Sequence, residues 1–203
     1  LLSNPKEQIT QAAHKKLKEF DSNLAQEFKN LLKGNDGYLK ILISGSVEPI
    51  EAKIYEALVN TIEENGFSQI LEKELKTTEP TSSEVLKLLS KLQDHLAKDS
   101  QFSGIVMVID ELGKFVQFAG RNKNQGDLFL LQQLAEYTAL AHQCSFNLIA
   151  MLHQSLDVYA KDLDEETKNE WKKIQGRFNE ISFVESPEQS IRILAQAIQQ
   201  KFS

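Results

Sequence analysis

Two adjacent carboxylates, Asp110 and Glu111, follow directly on five apolar residues, Ile105 to Ile109, most of them β-branched. Such a run predicts a strand buried on both faces, and open α/β sheets keep their ligand sites at the carboxyl ends of their strands. A carboxylate at that tip, next to a nucleotide's phosphates, can position a hydrated Mg²⁺, which takes oxygen ligands and keeps several waters. Asp110 suits that part. A second carboxylate one residue on can polarise an attacking water as general base or positioner, which assigns Glu111. The plainer alternative is that Asp110 caps a helix starting near Leu112.

Composition bounds what surrounds the pair. The 203 residues suit one α/β domain with a proper core, and 41% hydrophobic with 26% charged residues is a globular balance. A formal charge of −6 means that a duplex-binding surface must be a local basic patch working against the mean field. The single Cys144 has no second cysteine for a disulfide or a zinc site, which fits a reducing cytoplasm and a packing role. No apolar run approaches the ~20 residues of a membrane span, so no membrane partner is expected. The start, Leu1-Leu2-Ser3-Asn4-Pro5, lacks a signal peptide's regions and a methionine. It reads as the tail of a helix, and the chain as a fragment.

Periodicity then predicts the elements that hold the carboxylates. A helical lead-in over 1–33 has apolar residues at Ile9, Ala12, Ala13, Leu17 and Phe20, then Leu24, Phe28, Leu31 and Leu32, with Asp21 or Ser22 capping its second helix. Its lysines, Lys15, Lys16 and Lys18, read as a solvated face. Tyr38 to Ser44 is a first strand, followed by Gly45-Ser46, too short for a phosphate-cradling loop, and by a helix with Pro49 in its first turn and Ile50, Ile54, Leu58 and Ile62 inward. A helical piece over 67–76 and a helix capped by Ser82 or Ser83, with Val85, Leu88, Leu89, Leu92 and Leu96 on one side, lead to the central strand. Beyond Glu111 come a short helix with Phe115 and Phe118 inward, the polar loop 120–126, and a helix capped by Asp127. Then follow a strand from Phe146 to Leu152, a helix from Asp164 to Gln175, a last strand from Glu180 to Val184, and a helix from Ser186 with Ile191, Leu194, Ala195 and Ile198 on its inner stripe. Alternation of this kind specifies a mainly parallel sheet with right-handed crossovers. The polar ends of two later elements complete the candidate set: His153 and Gln154 at a strand tip, and Arg177 after Gly176 at a helix end. His14, His95 and His142 have no ligand-like spacing and read as structural.

The stretch Gly104 to Phe118, with Asp110 and Glu111 at its centre, resembles the Walker B motif of P-loop NTPases of the AAA+ and STAND kind. The strand ending in His153 and Gln154 is similar to the one that carries sensor 1 in those families, the usual residue there being Asn or Thr. Gly176-Arg177-Phe178 resembles the Arg-Phe element before the last core strand of origin-recognition-type AAA+ ATPases. The wording of Asp110 to Phe115, Gly126 to Glu136 and Leu152 to Ser155 also looks like large bacterial ATP-binding proteins of phage-defence or DNA-associated systems.

That resemblance implies a three-layer αβα P-loop NTPase core lacking its first strand. The core would span 34–185, with 186–203 leading toward a missing lid domain. It implies ATP and Mg²⁺ as ligands, Asp110 on Mg²⁺, Glu111 as catalytic carboxylate, His153 or Gln154 as sensor, and Arg177 as arginine finger for an adjacent protomer. A guanidinium suits the last part because it is always charged and forks onto phosphate oxygens. It implies a hydrolase in a homo-oligomer or larger complex, cytoplasmic, with nucleic acid a candidate partner of missing domains. No Gly-x-x-x-x-Gly-Lys-Ser/Thr occurs, so the loop that grips the phosphates would lie upstream of residue 1 and the 203 residues alone would bind ATP feebly. A non-catalytic NTPase-like scaffold is the competing expectation.

Overall fold

The computed structural model describes residues 7–31, 37–71, 77, 79–98, 102–122, 128–140, 144–154, 158, 165–182, 188, 191, 194, 195 and 198, without the side chains of 7–10, 31, 166, 167 and 170. Its elements are α1 (Glu7–Phe20), α2 (Ser22–Leu31), β1 (Tyr38–Ser44), α3 (Ile50–Glu64), a short 3₁₀ turn (Ser68–Ile70), α4 (Ser82–Lys98), β2 (Gly104–Asp110), α5 (Leu112–Arg121), α6 (Phe129–Thr138), β3 (Ser145–Ala150) and α7 (Glu165–Gln175). The protein is a mixed α/β fold with a three-stranded parallel sheet in the order β1-β2-β3.

The register pairs Leu39 with Ile105 and Phe146, Ile41 with Met107 and Leu148, and Ile43 with Ile109 and Ala150. Period-2 alternation puts these residues on one face. That face is buried under α3, α4 and α6, whose inward stripes include Ile54, Leu58, Leu88, Leu92, Leu131 and Leu134. The opposite face carries Lys40, Leu42 and Ser44 of β1, Val106 and Val108 of β2, and Asn147 and Ile149 of β3. It is open: Leu42 is 65% and Ile149 48% exposed, against 0% for Ile41 and Met107. The Ile105 to Ile109 run is thus extended as expected, but Val106 and Val108 are only half-buried.

Helix ends follow local hydrogen bonding. Asp21 caps α2, its Oδ1 accepting the backbone N–H groups of Asn23 and Leu24 at 2.8 and 3.1 Å. At α4 the cap is Thr81 and not Ser82 or Ser83. Thr81 Oγ1 accepts from Glu84 N–H at 3.3 Å and Glu84 Oε2 accepts from Thr81 N–H at 2.7 Å, a reciprocal capping box. The lysines Lys15, Lys16 and Lys18 are exposed, as a solvated face requires.

Three other expectations change. Of 67–76, only Ser68–Ile70 is helical within the described residues, and 72–76 lies outside them. Glu180 to Ser182 is not strand, and residues 183 and 184 are not described. Residues 188, 191, 194, 195 and 198 are helical, but Ile191, Leu194 and Ile198 are exposed instead of forming an inner stripe. Asp127 and His142 lie outside the described residues.

Candidate functional site

The sheet ends in a rim where three backbone connections meet. Gly45 N–H donates to Asp110 O at 2.8 Å, Met151 N–H to Ile109 O at 2.8 Å, and Leu112 N–H to Met151 O at 3.1 Å. The last bond skips Glu111, which adopts φ 52° and ψ 40° at the strand-to-helix turn. Glu111 is the single non-glycine residue with positive φ among the described residues. A left-handed conformation costs an L-residue about 1–3 kcal/mol and persists where the surroundings hold it, often at functional sites. Here Gly45 holds it: a Cβ on Gly45 would sit 2.3 Å from Glu111 O, so the β1–α3 connection can press against this turn only as glycine.

Asp110 is half-buried, and its Oδ1 accepts the N–H of Glu111 at 2.8 Å. No side-chain bond caps α5, so Asp110 holds the turn itself and not the helix beyond it. One of its oxygens remains for another partner. Glu111 has its Oε2 2.6 Å from Lys114 Nζ and its Oε1 3.6 Å from His153 Nε2. Lys114 is the closest partner of the second carboxylate. Its ammonium, with a smaller contribution from His153, holds the Glu111 carboxyl below the usual carboxylate range. His153 and Gln154 are exposed just past β3, so Asp110, Glu111, His153 and Gln154 share the carboxyl rim of the sheet.

Removing the ammonium should release this carboxyl. In Lys114→Met, Glu111 is expected to titrate at higher pH, read by carboxyl-carbon NMR against pH. The sign follows from linkage: a depressed folded-state pKa contributes stability above the unfolded value that is lost as pH falls through the folded one. The variant should therefore lose stability near neutrality and lose less on acidification. An unmoved Glu111 titration would show that the pair does not persist in solution.

Arg177 does not join this group. Its Nε donates to Glu136 Oε1 at 2.6 Å and its Nη1 to Lys173 O at 3.4 Å. Glu136 adjoins Tyr137, whose hydroxyl donates to Gln93 Oε1 at 2.5 Å, while Gln93 Nε2 donates to Cys144 O at 2.7 Å. Cys144 immediately precedes β3, so Arg177 lies at the amino end of the sheet, opposite the carboxylates. Arg177, at a helix end, does not reach the edge that carries the other candidates, for a geometric reason: a helix that follows a strand runs back and delivers its carboxyl end to the other rim. Trp171 and Ile174 are buried where α7 packs on α6, and Phe178 is partly buried against the core, as packing residues.

The Gln93 bridge was not read from sequence, since a glutamine on an apolar helix stripe gives no hint of partners distant in the chain. Gln93 is 3% exposed, and Gln93→Leu removes the amide donor to the Cys144 carbonyl and one acceptor of the Tyr137 hydroxyl. The expected loss is about 1–3 kcal/mol in urea unfolding, and a loss below about 0.5 kcal/mol would show that water replaces the amide. Burial raises the Cys144 thiol pKa and keeps it protonated, in line with a packing role. The His95 ring packs tilted against Phe67, with centroids 4.8 Å apart, in keeping with a structural role.

No protein-family model matches this chain, and no curated protein matches it.

Proposed function

We propose that this chain carries the nucleotide-hydrolysis core of an AAA+ or STAND-like ATPase that turns ATP hydrolysis into conformational change within a larger assembly. The observation that carries the reading is the meeting of Asp110, Glu111 and His153 at the carboxyl tips of adjacent parallel strands, with Glu111 in a left-handed turn. Ligand sites of open α/β sheets lie at such tips.

Among the described residues no three His, Cys, Asp or Glu side chains gather into a metal cage. A metal bound at this rim would be held through one protein carboxylate, in the manner of Mg²⁺ beside nucleotides, which keeps waters and phosphate oxygens as its other ligands. Asp110, with one oxygen spent on Glu111 N–H, fits that part. Mg²⁺ there supplies neutralisation of phosphate charge. Glu111 accepts a proton from the attacking water, for which one of its oxygens must be free of Lys114. His153 or Gln154 orients that water. Arg177, at the far rim and paired with Glu136, serves a finger role only toward a neighbouring copy and only after leaving that partner. The open sheet face and the outer edge of β3 would accommodate a further layer and the phosphate-loop strand of a three-layer core, because parallel sheets are stable when both faces are covered.

A second reading, a non-catalytic NTPase-like scaffold, is favoured by the Lys114–Glu111 contact, which occupies one oxygen of the carboxylate that hydrolysis would use. The two readings separate on metal-nucleotide binding in a chain extended upstream through a phosphate loop. Asp110→Ala should weaken Mn²⁺·ATP binding, read by Mn²⁺ paramagnetic resonance, by at least about tenfold. Equal binding by wild type and variant would favour the scaffold.

A further inference from the structure

We propose that the outer edge of β1 and the facing side of α3 form a docking groove for an extended polypeptide segment. The segment adds to the sheet as a further strand, with an aliphatic side chain against Ala57 and a lysine or arginine two residues away reaching Glu64. This use is independent of the nucleotide reading.

Among the described residues β1 is a terminal strand of the sheet. In a parallel pair, the N–H and C=O of one residue point to the same side and alternate residues point to opposite edges. Gly45 N–H donates to Asp110 O, so Ile43, Ile41 and Leu39 also face β2. Lys40, Leu42 and Ser44 therefore aim their backbone donors and acceptors away from the sheet. Beside them lies a groove of about 640 Å³, walled by Ala57, Asn60 and Glu64 of α3 and bounded at one end by Tyr38 and Phe102. An edge strand beside a helix is the geometry in which peptides bind by strand addition, the backbone giving affinity and the alternate side chains specificity.

The charges select the occupant. Because α3 runs back along β1, its last turn stands by Tyr38 and its first by Ser44. Glu63 and Glu64 both occupy the last turn, which contains no basic residue, although the negative end of the helix dipole disfavours anions there. Among the described residues Glu64 makes no hydrogen bond or ion pair, whereas Lys53 at the other end is engaged by Glu48 at 3.6 Å and Glu56 at 2.8 Å. A cation is thus wanted at the Glu64 end only. Ala57 leaves space between the ends for a branched aliphatic side chain. Ala57 and Glu64 are about 10 Å apart along the helix, and two strand residues cover about 7 Å, a difference that a lysine or arginine stem spans. Lys40, a charge of the kind that keeps free edges from pairing indiscriminately, belongs by strand alternation to the open face and also borders the groove.

The test uses the ¹⁵N-labelled 203-residue chain and the peptide acetyl-Thr-Lys-Thr-Val-Thr-Val-Thr-amide at up to roughly millimolar concentration. At saturation, amide hydrogen exchange should slow at least about tenfold at Lys40, Leu42 and Ser44 and stay unchanged at Ile41 and Ile43, whose N–H groups already bond to β2. Glu64→Lys, at an exposed position, should weaken binding at least about tenfold, and replacing the peptide's lysine by glutamate should do the same. No protection at the three outward amides overturns the proposal, as does equal protection of both sets, which reports general stabilisation. Full affinity in Glu64→Lys overturns the assigned chemistry.

Discussion

Replacing Gly45 by alanine should cost this protein about 2–4 kcal/mol, the sum of overpacking at about 1–3 and a disturbed backbone hydrogen bond at about 1. The added Cβ would lie 2.3 Å from Glu111 O and 2.9 Å from Glu111 C, atoms that belong to backbone and cannot swing aside. Relief requires the tips of β1 and β2 to part, which lengthens the Gly45 N–H bond to Asp110 O and loosens the left-handed turn. Gly66 provides the contrast. Its φ is 75° but nothing lies within 4 Å of its would-be Cβ, so Gly66→Ala adds conformational strain alone, about 1–2 kcal/mol. Urea unfolding of the two variants should rank Gly45→Ala as the more damaging. The Glu111 and Leu112 amide resonances should move in that variant and hold still in Gly66→Ala. The reverse order would mean that Gly45 does not press on the turn.

The reason these residues matter together is that the rim is built by backbone bonds between three connections, each short and each fixed by a different strand. Sequence reading located two of those connections without help. The β-branched run before Asp110 and the apolar run before His153 mark strand ends directly, and a parallel sheet places such ends side by side, as the 3.6 Å approach of His153 to Glu111 illustrates. The left-handed turn at Glu111 was not legible, because glutamate has no preference for that conformation and takes it only under the bonds of Gly45 and Leu112. Lys114 three residues on could have been paired with Glu111 by helical spacing, and Thr81 with Glu84 matches a capping-box signature that the neighbouring serines obscured. The direction of the helix before Arg177 also carried the information that this arginine returns to the opposite rim.

The open face is a different case. Val106 and Val108 read as buried because a parallel strand between two neighbours ordinarily is. Nothing in their own types tells whether a covering layer follows. Leu42 and Ile149, exposed on the same face, are what such a layer would cover.

Hydrolysis at this rim depends most directly on Glu111. In a chain extended upstream through a phosphate loop, Glu111→Gln keeps the size and hydrogen-bonding reach of the side chain while removing its ability to take a proton. If Glu111 activates the attacking water, phosphate release should fall by about 10²–10⁴-fold, the usual contribution of a general base, while ATP binding stays within about twofold because the role is confined to the transition state. Phosphate release at the wild-type rate, with ATP bound equally well, would contradict the assignment of this rim to hydrolysis.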